Sequence, residues 1–219
     1  MQPQPTAILL FSRTASAEAE YKSFGAGSGG SRITDALITR TELTLQKIGL
    51  PVFRSDEHSQ IGDSFGERLA NAMARVYDQG YERLLVVGND CPSVSASHLR
   101  AAARQLSIGQ NVVGPDRRGG VWLIGLQRGD FNADTFAQLP WESHELYQYL
   151  ADLLPSRTDA ASLGDLNTFE DLKHNWFFLR RQIAELFDLM VLSETAFDGA
   201  DLRPEPVAIL RQLGRAPPR

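Results

Sequence analysis

Short unbroken runs of apolar residues alternate along this chain with longer stretches in which apolar residues recur every three or four positions. The first pattern marks strands buried on both faces. The second marks helices that bury one face. Ala7-Ile8-Leu9-Leu10-Phe11 is the first run and predicts a buried strand. Ile33, Leu37, Ile38, Leu43, Leu45 and Ile48 then fall at near-helical spacing, and Gly49 and Pro51 supply the stop. Residues 51–54 predict a second strand. Phe65, Leu69, Ala72, Met73, Val76 and Tyr77 share one face of a helix over 64–80, with Gly80 as its C-terminal residue. Arg83-Leu84-Leu85-Val86-Val87-Gly88 is the clearest buried strand. A helix follows over 95–106, with Ser95 as N-cap. Strands are predicted over 111–114 and 121–126 with a polar turn between them, and helices over 143–154 and roughly 169–192.

Strands that alternate with helices predict an α/β protein of three layers, with a mostly parallel sheet between helices. The polar, glycine-rich stretch 12–31, centred on Gly25-Ala26-Gly27-Ser28-Gly29-Gly30, reads as a mobile loop. One domain over 1–200 is expected. The tail 201–219, with Pro204, Pro206, Pro217 and Pro218, reads as an appendage with one short helix. The net charge of −5 gives no general attraction to polyanions, which argues against nucleic acid as a partner. No stretch approaches the roughly 18 apolar residues of a membrane span. The start of the chain lacks the basic and long apolar segments of a signal peptide, so a cytoplasmic location is expected. With Cys91 as its single cysteine, the chain forms neither an internal disulfide nor a cysteine-rich zinc site. Oligomeric state leaves no mark in the sequence.

In open α/β sheets, ligands bind beyond the carboxyl ends of the strands. The run that follows the clearest strand is Gly88-Asn89-Asp90-Cys91-Pro92. A carboxylate at Asp90 suits Mg²⁺ or Mn²⁺, hard cations that share oxygen ligands with substrate phosphates, or it simply caps the turn. Gly114-Pro115-Asp116-Arg117-Arg118-Gly119-Gly120 has the glycines of a hairpin turn, and its paired arginines either grip phosphate or face solvent. Gln60-Ile61-Gly62-Asp63-Ser64-Phe65-Gly66-Glu67-Arg68-Leu69 opens a helix. Capping by Asp63 or Ser64, with Glu67 in the capping-box position, accounts for it without an anion. The run Gly25 to Gly30 lacks the Gly-Lys-Ser/Thr ending of a P-loop. His58, His98, His144 and His174 make no pair at metal spacing, and Cys91 reads as a small buried side chain.

Taken in order, these segments resemble a bacterial glycosyltransferase-like family of the nucleotide-diphospho-sugar transferase (GT-A) fold, some members of which are labelled arsenosugar biosynthesis glycosyltransferases. The resemblance rests on Gln60 to Leu69, Val86 to Pro92, Gly114-Pro115 and Gly119-Gly120-x-x-Leu123-Ile124-Gly125-Leu126. It continues through Trp141-Glu142-Ser143 and Asp165-Leu166-Asn167-Thr168-Phe169-Glu170-Asp171-Leu172. It implies a nucleotide sugar as donor and a small-molecule acceptor. It also implies Mg²⁺ or Mn²⁺ on Asp90 and Asp165. Ser12, Arg13, Lys22, Gly66, Arg68, Gly88 and Asn89 would hold the nucleotide. Arg118, Gly119, Gly120 and Trp122 would meet the second substrate, and Glu142, His144 or Asp116 would take the acceptor's proton. The chain departs from the family pattern at several points. Only Lys22 remains of a basic Lys-Thr-Arg-Leu segment. Arg118 and Val121 stand where an acidic and an aromatic residue are usual, and Asn167 replaces a carboxylate. A nucleotidyltransferase on the same fold, or a binding module that has lost catalysis, fits the same pocket.

Overall fold

Apolar residues alternate between the two faces of each central strand, and the two sets feed two separate cores. In the computed structural model, which describes residues 5–22, 28–168, 170–171 and 173–175, β1 (Thr6–Phe11) and β3 (Arg83–Val87) lie side by side and parallel. Ala7, Leu9, Leu84 and Val86 face one core. Ile8, Leu10, Leu85 and Val87 face the other. The first core is closed by α3 (Phe65–Tyr77) through Leu69, Met73 and Val76, and by Phe136 of α5 (Ala133–Ala137) and Leu150 of α6 (Leu146–Leu153). The second is closed by Leu45 of α2 (Ser28–Gln46) and by Leu99 and Leu106 of α4 (Ala96–Ser107). A sheet between two helical layers results, as the alternation predicts.

Six strands make the sheet, in the order β2-β1-β3-β5-β4-β6. β2 is Val52–Ser55, β4 Val112–Pro115, β5 Val121–Gln127 and β6 Thr158–Asp159. β5 runs antiparallel to both of its neighbours, and the remaining pairs are parallel. The antiparallel strand matters for function. It brings the start of β5 and the β4–β5 turn to the edge where β1 and β3 end.

Local chemistry explains the helix starts. Ser64 and Glu67 form a reciprocal capping box at α3, and the Ser95 hydroxyl accepts from the amide of His98 at α4. Tyr77, at the other end of α3, donates its hydroxyl to the Leu126 carbonyl at 3.1 Å and so ties the helix to β5.

Several expectations are corrected. The stretch after β1 is not all loop: Ala15–Tyr21 forms α1. Its alanines and glutamates favour a helix, and its N-cap residue is held from a distance, as Glu57 accepts from both the amide and the hydroxyl of Thr14. α2 starts at Ser28, five residues before the first apolar marker at Ile33. Residues 23–27, the rest of the glycine run, lie outside the described residues. α6 starts at Leu146 rather than at 143, because Glu142 has a left-handed backbone (φ 62°) and Ser143 instead accepts from the amide of Glu145. The 3₁₀ turn Arg128–Asp130, α5 and β6 are absent from the hydrophobic pattern. Each is too short to show a period. Of the helix expected over 169–192, residues 170–171 and 173–175 are helical, and the remainder lies outside the described residues, as does the tail 201–219. Among the described residues no helix is long and apolar enough to cross a membrane.

Candidate functional site

The strand order reverses at β1. From it the chain first adds β2 on one side and then β3 on the other. Two chain segments diverge at such a switch point and leave a crevice between their strand ends. A cavity of about 670 Å³ occupies that crevice. Its walls come from Phe11, Ser12 and Arg13 after β1, Val86 to Asp90 after β3, and the β4–β5 turn. Trp141 to His144 and Asp165 with Asn167 complete the lining.

Two polar groups at the floor are buried without partners among the described residues. Leu10 pairs with Val87, so Ser12 and Asn89 each follow two residues later at adjacent strand ends. Ser12 is 6% exposed and Asn89 4%. Neither the Ser12 hydroxyl nor the Asn89 side-chain NH₂ has a hydrogen-bond partner among the described residues. A buried polar group left unmade costs roughly 1–3 kcal/mol. Both groups line the cavity, so a ligand that accepts from Asn89 and bonds Ser12 recovers that cost.

Basic residues flank one side. Glu18 of α1 gathers Lys22 Nζ at 3.3 Å and Arg13 Nη1 at 3.8 Å. Lys22 is itself buried. Arg68, on the first turns of α3, also lines the cavity.

The cavity also has an acidic cluster. Asp90, Asp116 and Asp165 all line it. Burial pushes the Asp165 carboxyl up from its ordinary value. Arg118 opposes this, while Asp90 and Asp116 add to it. Asp116 is committed to the turn: its Oδ1 accepts from the amides of Arg118 (2.6 Å) and Gly120 (2.9 Å). Asp165 is also engaged. Arg118 Nη1 stands 3.5 Å from its Oδ2, and the Asn167 side-chain amide donates to the same oxygen. The backbone carbonyl of Asp90 accepts from the amide of Leu166 at 2.7 Å, which ties the end of β3 to this segment. Among the described residues no three His, Cys, Asp or Glu side chains form a metal-ligating group. Asp116 is already held by the amides of Arg118 and Gly120, and Asp165 by Arg118 and Asn167. Asp90 alone suits only an ion that shares its ligands with substrate phosphates. Cys91 donates its Sγ to the Gly164 carbonyl, and burial, then Asp90, pushes its thiol up to about 12. It is no nucleophile at neutral pH.

The structure brings Ser12, Arg13, Lys22, Arg68, Gly88, Asn89, Asp90, Asp116, Arg118, Gly120, Trp122, Glu142, His144 and Asp165 to one cavity. Gly66 and Gly119 do not line it. Gly66 faces away from the cavity: a Cβ on it would stand 2.2 Å from the Ala137 carbonyl and 2.7 Å from Trp141, so it is a packing glycine between α3 and α5. Gly119 (φ 90°) turns the hairpin, and its Cα lies against the His144 carbonyl, where a Cβ would stand 1.9 Å away. Its own carbonyl accepts from the amide of Tyr147. Gln60 and Phe65, for which the sequence suggested no contact, also line the cavity, as does Asn167, which stands where the resemblance implies a carboxylate. Gln60 and Phe65 belong to the segment 60–69, in which the resemblance implied a nucleotide contact for Gly66 and Arg68.

Residues 52–143, under half of the chain, match a family described as uncharacterized proteins conserved in bacteria (DUF2064). No curated protein matches the chain. Among solved structures the chain is similar to a protein from Desulfovibrio desulfuricans that bears the provisional name nucleotide-diphospho-sugar transferase. The two are 17% identical over 90% of this chain and 99% of the other, with a TM-score of 0.74. It is also similar to Rv0371c from Mycobacterium tuberculosis, at 14% identity over 80% and 98% of the two chains and a TM-score of 0.50. At these identities the likeness is one of fold. The chain has the nucleotide-diphospho-sugar transferase fold that its motifs led us to expect.

Proposed function

We propose that this protein binds a nucleotide-diphospho-sugar in the switch-point cavity and transfers the sugar to a small acceptor. One observation carries the reading: Ser12 and Asn89, buried and unpartnered among the described residues, line a roomy polar crevice at the divergence of β1 and β3. The fold and the provisional name of the Desulfovibrio protein support the donor class.

The basic side of the cavity suits a diphosphate, with Arg13, Lys22 and Arg68 as its counter-charges. Ser12, Gly88 and Asn89 then meet the nucleoside. A divalent ion carried in by the diphosphate would meet Asp90 and supply positive charge as the diphosphate leaves. The chain's own groups do the rest. In transfer, an acceptor hydroxyl bonds to the sugar's anomeric carbon, the bond from that carbon to the diphosphate oxygen breaks, and the hydroxyl proton goes to a base on the protein. Glu142 and His144, which line the cavity, are the candidates for that base. Asp116 is the weaker choice, because two backbone amides already hold its carboxylate.

Calorimetry with UDP-, GDP- and CDP-sugars, with and without Mn²⁺, tests the reading. One of the three should bind, and Asn89→Ala should weaken it by up to about tenfold, the worth of one hydrogen bond. Asp90→Ala should weaken binding only when Mn²⁺ is present. Absence of binding by all three sugars removes the reading. Release of pyrophosphate from a nucleoside triphosphate would replace it with a nucleotidyltransferase.

A further inference from the structure

We propose that Arg118 is the built-in cation at the acidic cluster of the cavity: its guanidinium occupies Asp165, the second carboxylate that a divalent ion would need, and so keeps the protein free of a resident metal.

The turn that carries Arg118 is fixed from both sides. Asp116 accepts from the amides of Arg118 and Gly120, and Gly119 is wedged against the His144 carbonyl. The turn therefore sends the Arg118 side chain toward the 165–171 segment. There Nη1 lies 3.5 Å from Asp165 Oδ2, and Nη2 donates to Asp171 Oδ1. Asp171 is itself held in place, since its Oδ2 accepts from the amides of Asn167 (3.0 Å) and Thr168 (2.9 Å). Asp165 Oδ2 meets both the guanidinium and the Asn167 amide. Both are hydrogen-bond donors, and a cation at that oxygen would have to displace them. Arg118 is 50% exposed, so the pair adds little to overall stability. Its effect is on occupancy. One fixed positive charge stands where a hard cation would find a second oxygen ligand. The departures at Arg118 and Asn167 thus act on the same carboxylate oxygen.

The inference concerns the ion alone and stands whether or not a nucleotide sugar is the ligand. The experiment is a titration of nucleotide-free protein with Mn²⁺, followed by the electron paramagnetic resonance of the free ion. Wild type and Arg118→Lys, which both keep a cation, should leave Mn²⁺ free at concentrations where Arg118→Met binds one ion per chain. The affinity gain in Arg118→Met should be about tenfold or more, as expected for removal of one nearby like charge. Arg118→Met with Asp165→Asn should lose that gain. The proposal fails if wild type binds one Mn²⁺ as tightly as Arg118→Met does, if Arg118→Met gains nothing, or if the gain survives Asp165→Asn.

Discussion

Glu142 has a left-handed backbone, with φ at 62°, and lines the cavity. For a residue with a Cβ that conformation costs about 1–2 kcal/mol. Strain of this kind persists where the surroundings hold it, often at a functional site. Glu142→Gly should therefore be more stable to urea than Glu142→Ala by about 1 kcal/mol. Equal midpoints for the two variants would show that the backbone there is relaxed. Gly66 makes the opposite case. Its motif invites a ligand contact, but its missing side chain is needed by Ala137 and Trp141. Gly66→Ala should lose about 1–3 kcal/mol through overpacking against a backbone carbonyl. The ligand affinity of the folded fraction should stay unchanged, which calorimetry below the unfolding midpoint would check. Asp90, Asn89 and Arg118 were visible in the sequence as residue types after strands. Whether a glycine serves a ligand or a neighbouring helix was not, because that depends on what packs across from it.

At the scale of elements, the long ones were legible and the short ones were not. α3 and α4 announced themselves by period and cap. α1 did not, because the group that holds its N-cap residue Thr14 lies 43 residues away in sequence. Burial works to raise the Glu57 carboxyl, yet the bonds from the Thr14 hydroxyl and amide outweigh it and hold the group below the ordinary carboxylate range. A depressed folded value means that the unfolded state takes up the proton first as pH falls. The contribution of Glu57 is thus fully present above the unfolded-state value. It declines as pH falls through that value toward the lower folded one. Urea midpoints measured from pH 7 down to acid should converge for wild type and Glu57→Gln. A gap that stays constant across the range would mean that the carboxylate charge plays no part in holding α1, whose Arg13-Glu18-Lys22 group flanks the cavity.

For the whole molecule, strand order decides where the crevice falls, and hydrophobic period does not report strand order. The alternation of the apolar runs predicted three layers. It left open that β5 runs antiparallel between β3 and β4. That single reversal carries the β4–β5 turn, with Asp116 and Arg118, to the edge where Ser12 and Asn89 sit. The cavity then stands as a cost to the empty protein, with two unpartnered buried groups at its floor among the described residues. Stability and binding should consequently trade against each other at Ser12. Ser12→Ala removes one unmade hydrogen bond with little change in volume, so the empty variant should be more stable than wild type by about 1 kcal/mol. A ligand at 100 times its Kd adds about 2.7 kcal/mol to the protein it binds. At the same ligand concentration the variant should gain less, because its Kd is weaker. Thermal unfolding with and without the nucleotide sugar found by calorimetry reads both effects. If Ser12→Ala is less stable when empty, the hydroxyl has a partner in the folded protein, and the floor of the cavity does not wait for a ligand.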